Sequence, residues 1–283
     1  MRRPSTLLGA VLSEVDGRAA LLLLLLFTAA VYFWRIGTAP IYLAPDEVII
    51  ANDAYAVAAT GQTRSGIFLP LYFPAGVDNA WFMPVIYYAI ALVLLVLPLA
   101  EWSIRTPTVL AAIASIALTY FVGIRLYRDR RAALVAAFVM ACAPAFFILS
   151  RYALDYTLPV PFVLGWLLCL LIALDSRRSS WWFAAAGLCL GVGWYAYISS
   201  IVMMPVYFAM TFGVLAARRR GWRDAAAFTA GFVLPLTFFV AWLLQHPEAI
   251  AATARRYGFL NSAASASAPA LQSLDPIAML RRF

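Results

Sequence analysis

The chain is a succession of apolar runs, several close to 20 residues long, separated by short segments that carry most of its charge. As a helix rising 1.5 Å per residue, a run of that length matches the hydrocarbon core of a bilayer, about 30 Å thick. Composition agrees. Of 283 residues, 65% are hydrophobic and 12% charged, whereas a soluble domain is about half apolar and about a quarter charged. A water-soluble globular protein is excluded, and the expected fold is an all-α polytopic membrane protein.

The 21 basic residues outnumber the 13 acidic ones, and every basic residue is an arginine. Most stand in short clusters between apolar runs, the pattern of loop charge rather than of a nucleic-acid-binding stripe. Cys142, Cys169 and Cys189 each lie inside an apolar run, without the paired spacing of a zinc site or a disulfide framework, and read as small buried hydrophobes. Arg2, Arg3 and Arg18 precede a leucine run as in a secretory signal. The apolar stretch nevertheless continues through Val31–Trp34 without a small-residue cleavage site, so a retained first span is expected.

The arginines set the topology. Three basic loops, Arg125–Arg131, Asp175–Arg178 and Arg218–Arg223, face the cytoplasm by the positive-inside rule, as does the N-terminus. Two spans, Ala132–Leu149 and Leu158–Leu174, fit between the first and second loops, joined outside by Ser150–Thr157. The stretch Trp181–Ala217 divides near Ala196–Ser200 into two short spans. Between Arg18 and Arg125, however, stand three apolar runs, Ala20–Trp34, Met83–Leu97 and Thr106–Ile124, and an odd number cannot return the chain to the same side. The middle run holds Pro84, is followed by Pro98 and covers only about 22 Å. It is expected to lie along the outer interface, where Trp81, Tyr87, Tyr88 and Trp102 suit a headgroup environment. Residues 37–105 then form one long outer loop. With a last span at Ala225–Leu244, the expectation is about seven spans, N-terminus inside, in a module covering residues 1–244, followed by an outer segment, 245–283. Keeping the middle run as a span would place Arg151 and Asp155 in the cytoplasm and break the agreement of the later loops.

This topology collects Asp46, Glu47, Asp53, Arg64, Asp78, Glu101, Arg105, Arg151, Asp155, Glu248, Arg255 and Arg256 on the outer face, several of them beside spans. Charges at that depth are costly unless paired or hydrated, which marks them as functional candidates. Asp46 and Glu47 open an amphipathic stretch, Val48–Ala59, closed by Gly61; the plain reading is an aspartate N-cap with acidic residues at the positive end of the helix dipole. Arg151 and Asp155 stand four residues apart, and their plain reading is a local ion pair. Together the two acidic positions suit a transfer reaction at the membrane surface. A carboxylate takes the proton of an attacking hydroxyl, and arginine forks bind and neutralise a phosphate leaving group.

The ordered set Asp46-Glu47, Pro84-Val-Ile-Tyr-Tyr, Ser103-Ile-Arg105-Thr-Pro107, Arg125-Leu-Tyr-Arg-Asp-Arg-Arg, Ser150-Arg151-Tyr-Ala-Leu-Asp155 and Gly191-Val-Gly-Trp-Tyr-Ala-Tyr resembles the C-type membrane glycosyltransferases, relatives of protein O-mannosyltransferases and lipid A aminoarabinose transferases. The likeness runs from about Ala20 to about Glu248. It implies a first outer loop bearing two juxtamembrane helices, and inverting transfer of a sugar from a polyprenyl-phosphate donor to an acceptor outside the cytoplasmic (inner) membrane. By the same resemblance Asp46 takes the position of the general base, Glu47 accompanies it, and Asp155 is the second acidic residue. Arg105 and Arg151 take the family's basic positions, for the phosphate or for ordering the acidic loops, and Arg64 joins them as a donor-binding candidate. Met83 stands where aminoarabinose transferases carry lysine, which argues against that specificity. Family members continue into further spans, so this chain is expected to be the N-terminal part of a longer protein.

Other features weigh less. The segment from Gln245 onward, with His246, Arg255, Arg256, Arg281 and Arg282 around an Ala/Ser-rich stretch, reads as a solvated tail. Trp194, Tyr195 and Tyr197 suit an aromatic belt as well as a sugar platform. Asp46 and Asp155 offer oxygen ligands for a divalent ion, but no histidine accompanies them and phosphate is already a good leaving group, so a metal-independent reaction without a cofactor is favoured. Two rival readings stand beside the transferase: a lipid-linked-sugar flippase, which would place facing ionisable groups at mid-membrane depth, and a structural subunit binding a partner through the outer loop.

Overall fold

The computed structural model describes residues 17–74, 81–176 and 180–249. Asp78, Arg177, Arg178, Arg255, Arg256, Arg281, Arg282, the N-terminal arginines Arg2 and Arg3, and the Ala/Ser-rich segment lie outside the described residues.

The protein is built of helices α1 (Gly17–Phe33), α2 (Pro45–Thr60), α3 (Pro84–Leu94), α4 (Glu101–Tyr127), α5 (Arg130–Ala141), α6 (Pro144–Ser150), α7 (Pro159–Asp175), α8 (Ser180–Gly193), α9 (Ser200–Ala217) and α10 (Trp222–Gln245). A two-stranded ribbon, β1 (Phe73–Pro74) with β2 (Trp81–Phe82), precedes α3. Four elements are long and apolar enough to cross a membrane: α4, α7 with the 3₁₀ turn before it, α9 and α10. The pair α5–α6, bent by 59°, makes a fifth if it is one span. The apolar part of α1 and helices α3 and α8 are shorter. The chain is thus a multi-pass membrane protein.

Proline sets several of these boundaries. Pro45, Pro84, Pro144 and Pro159 each occupy the first turn of a helix, where a missing N–H is harmless and a fixed φ favours initiation. Pro144 also divides the apolar run 130–150, producing the bend between α5 and α6. The expected aspartate N-cap at α2 is not what forms. Pro45 is the first helical residue, Ala44 is the cap, and the Glu47 carboxylate reaches back to accept from the Ala44 N–H at 2.9 Å. Gly61 closes α2 in the left-handed conformation, φ 74°.

Helix α4 is the central post, packed against α1, α3, α5 and α7, while α8 packs against α7 and α10. The α8–α10 contact is made by small residues. A Cβ added at Gly187 would collide with the Phe228 carbonyl, and one at Gly231 with the Ala184 carbonyl, so the two backbones approach to a distance that only glycine permits. Trp166 of α7 donates its indole N–H to the Thr211 hydroxyl of α9 at 3.0 Å. Arg220 donates to the carbonyls of Leu174 at 2.6 Å and Ala173 at 3.1 Å. This arginine of the third basic loop therefore satisfies the orphan carbonyls at the end of α7.

The α8–α10 seam generates a first prediction. Gly231→Leu should cost on the order of 1–3 kcal/mol through overpacking, read as a lower midpoint of thermal unfolding in detergent, whereas Gly213→Leu, with open space around its Cβ, should leave the midpoint unchanged.

Candidate active site

The N-terminus of α2, the turn between α6 and α7, and the start of α4 are brought together by one buried ion pair. Glu47 and Arg105 have fully buried side chains, with Nε to Oε1 at 3.0 Å. All five N–H donors of Arg105 are used. Nε and Nη2 hold the two Glu47 oxygens, Nη1 reaches the carbonyls of Ile36 and Pro40 at 2.9 and 3.1 Å, and Nη2 also reaches that of Tyr42 at 3.3 Å. Glu47 in turn accepts from the backbone N–H groups of Ala44 and Ala153, the latter at 2.7 Å. A single carboxylate thus joins the start of α2 to the segment that carries Asp155.

Arg151 forms the second fastening. Its guanidinium donates to the carbonyls of Tyr32, Trp34 and Ala39 at 2.7, 2.8 and 2.6 Å, more weakly to that of Val31, and lies over the Phe147 ring. It closes the C-terminal end of α1, whose last carbonyls have no helical partner. The local Arg151–Asp155 ion pair read from their spacing is not formed, because Arg151 turns to α1 and Asp155 turns to the opposite side, beside Asp46. Of the two roles considered, the geometry commits Arg105 to ordering the acidic loops, since every donor is spent on the protein, whereas Arg151, besides fastening α1, also lines a cavity of about 710 Å³ with Trp34, Arg35 and Phe147. Arg64 differs. Its Nε holds Asp53 at 3.0 Å, but its side chain remains 56% exposed, with an open guanidinium edge.

What these fastenings hold in place is a recess of about 230 Å³ lined by Asp46, Ile50, Trp81, Phe82, Met83, Ile86, Tyr87, Leu154, Asp155, Tyr156, Tyr197 and Ile198. Asp46 enters from the first turn of α2, and Asp155 from the 3₁₀ turn before α7. The walls are aromatic, Tyr156 and Tyr197 meeting edge to face at 5.7 Å. Glu47 is on the far side of the helix start, committed to Arg105, and does not line the recess. Among the described residues no group of three or more His, Cys, Asp or Glu side chains is placed to share a metal ion; Asp46 and Asp155 remain two oxygen donors in one recess.

Tyr87, expected at the membrane interface, is instead completely buried. Its ring stacks on Phe73 with centroids 3.9 Å apart, and its hydroxyl has no hydrogen-bond partner. Tyr88, one residue on, gives its hydroxyl to the Pro70 carbonyl at 2.7 Å. Burial, and after it the charges of Asp53, Asp155 and Asp46, push the Tyr87 phenol above its ordinary pKa, so it stays protonated. An orphaned buried hydroxyl costs about 1–3 kcal/mol. No pattern in the sequence singles out Tyr87, since Ile86, Tyr87 and Ile90 form an ordinary buried helical stripe. Of the aromatic trio near Ala196, Tyr197 reaches the recess, Tyr195 bonds the Pro235 carbonyl at 2.7 Å, and Trp194 packs on Phe239. His246 stacks on Trp242 and meets the recess residue Trp81 edge to face, without lining the recess itself.

Separating the two kinds of arginine gives a second prediction. Glu47→Gln, which strands the Arg105 charge, should cost about 3–5 kcal/mol and lower the yield of folded protein, whereas Arg64→Ala, which removes an exposed side chain but leaves the buried Asp53 with the backbone N–H of residue 64, should cost less, about 1–3 kcal/mol; thermal unfolding of the two purified variants measures the difference.

Known proteins give the site its context. Two crystal structures of ArnT from Cupriavidus metallidurans share the fold. One, bound to undecaprenyl phosphate, is similar with a TM-score of 0.61 and 17% identity over 81% of this chain and 42% of that one. The other, in the apo state, has a TM-score of 0.60 and 16% identity over 83% and 44%. The chain therefore spans less than half the length of the solved structures it matches. No curated protein matches it significantly in sequence. The family described as dolichyl-phosphate-mannose-protein mannosyltransferase matches residues 78–244, more than half of the chain, and with the helical membrane architecture and the shared fold this makes the chain a member of that family, within the C-type membrane glycosyltransferases.

Proposed function

We propose that the protein transfers a sugar from a polyprenyl-phosphate donor to an acceptor presented on the outer face of the cytoplasmic membrane. The observation that carries this reading is the recess in which Asp46 and Asp155 share one aromatic-walled space, within a fold also found in a protein crystallised with undecaprenyl phosphate. In the reaction Asp46 takes the proton of the acceptor hydroxyl. The acceptor oxygen forms a bond to the anomeric carbon, and the bond from that carbon to the phosphate oxygen breaks, its electron pair leaving with the polyprenyl phosphate. Attack from the face opposite the leaving group inverts the anomeric centre. Asp155 orients the acceptor or the sugar across the recess. Arg64, with its open edge, meets the phosphate, while Glu47, Arg105 and Arg151 hold the two acidic elements in register.

In this reading seven helices span the membrane, α1 and α8 serving as short spans and α5–α6 as one bent span, with the N-terminus inside. Helices α2 and α3 belong to the outer loop 37–105 and lie at the membrane surface. Helix α3, with 11 residues, covers only about 16 Å. Residues 1–244 form the transferase module and 245–283 an outer segment. The acceptor is left open. A flippase would want ionisable groups facing each other at mid-span, whereas the acids of this site stand at helix starts.

Asp46→Asn should lower transfer by about 10²–10⁴-fold, the usual contribution of a positioned general base, with membrane insertion and thermal midpoint preserved; transfer of radiolabelled sugar from lipid-linked donor in membranes measures it, and full activity in the variant removes the proposed base. Because the leaving group is a phosphate neutralised by arginine, treatment with a chelator should leave the wild-type rate unchanged in the same assay.

A further inference from the structure

We infer that the Tyr87 hydroxyl is a sugar-reading group: it donates a hydrogen bond to a hydroxyl of the lipid-linked sugar seated between Asp46 and Asp155. The inference rests on the transfer reading above and names what that recess recognises.

Three observations converge. First, Tyr87 lines the recess with Asp46 and Asp155, is 0% exposed, and has a hydroxyl without a partner, although its neighbour Tyr88 finds one. The orphan is not a consequence of loose packing, because Phe73 stacks flat against the Tyr87 ring and fixes its plane. Second, the recess is patterned by polarity. Asp46 supplies acceptors, Asp155, whose burial beside Asp46 raises its pKa to about 7, supplies an acceptor and in its protonated form a donor, and the Trp81 indole N–H belongs to a lining residue as a further buried donor without a partner. A ligand matching both sets must itself accept and donate several hydrogen bonds within a small volume, as a sugar ring does and a prenyl chain does not. Third, about 230 Å³ is less than the roughly 300–1,000 Å³ of pockets for drug-sized ligands, which leaves room for one ring rather than for the lipid.

The proton on Tyr87 decides which hydroxyl it serves. Surrounded by Asp53, Asp155 and Asp46, the phenol stays a donor. Donation to the attacking acceptor oxygen would withdraw electron density from the nucleophile that Asp46 activates, so the productive partner is a ring hydroxyl of the sugar. A site built to bond a substrate hydroxyl discriminates strongly against an analogue that lacks it, because the buried group is then left unpaired again.

The test compares full-length wild-type protein and Tyr87→Phe, reconstituted in nanodiscs, for binding of bare polyprenyl phosphate and of polyprenyl phosphate bearing mannose, glucose or aminoarabinose. In wild type one sugar should raise affinity over the bare phosphate. Tyr87→Phe should lose about tenfold of that increment, the worth of one such hydrogen bond, while its affinity for the bare phosphate is unchanged and its thermal midpoint is equal or higher. Wild type should lose the same factor for one of the monodeoxy analogues of the preferred sugar, a measurement that does not depend on the variant folding. An increment retained in Tyr87→Phe, equal loss for sugar-bearing and bare lipid, or no discrimination by wild type among deoxy analogues overturns the inference and leaves the transfer reading standing. No preference by wild type for any sugar-bearing lipid overturns both.

Discussion

The arrangement of α1, α2, α4 and the turn before α7 depends on the ion pair between Glu47 and Arg105, sealed from solvent at the start of α2. Bringing two charges out of water costs several kcal/mol per ion, and their attraction offsets that cost only when the remaining lone pairs and protons are also matched. Here they are: Arg105 uses all five donors, and Glu47 accepts two backbone N–H groups besides the guanidinium. An apolar pair of similar volume could fill the space, but it could not tie the turns at Ile36, Pro40 and Tyr42 to the residues before Asp155. The worth of the pair lies in the register it imposes on elements far apart in sequence.

From that register follows the arrangement of the acids. Glu47 faces inward to Arg105, so its neighbour Asp46, about 100° further round the helix, faces the recess. Ala153 is held by the Glu47 carboxylate, so Asp155, two residues later, reaches the same recess. Arg151 closes the end of α1 and thereby fixes where the chain turns back toward α2. The structural and chemical charges are thus adjacent in sequence, in Asp46-Glu47 and in Arg151 with Asp155, yet they point in opposite directions. One member of each pair builds the frame, and the other lines the recess.

Much of the fold was legible from the apolar runs. The division of 181–217 and the shortness of the run after Met83 return as α8 with α9 and as α3, whereas the stretch read as one span, Ala132–Leu149, is broken at Pro144 into α5 and α6. Asp46 and Asp155 were legible because charge is scarce in such a chain and theirs has no topological use. The duties of Arg105 and Arg151 were not, since they depend on where the carbonyls of residues 31–42 turn inward, a tertiary fact with no local signature. Nor was the unpaired hydroxyl of Tyr87: the residue shares the helical stripe of Ile86 and Ile90, and only the partner that Tyr88 has and it lacks sets it apart.

Within the account, the 12% of residues that are charged divide among marking the sides of the membrane, capping helix ends, fastening the outer loop and meeting the substrate. The most direct test of the last role is the lipid content of cells from which the gene has been deleted. Mass spectrometry of their extracted lipids should show a polyprenyl-phosphate-linked sugar accumulating above the level of the parent and returning to it when the gene is restored. An unchanged pool of lipid-linked sugars would contradict the account.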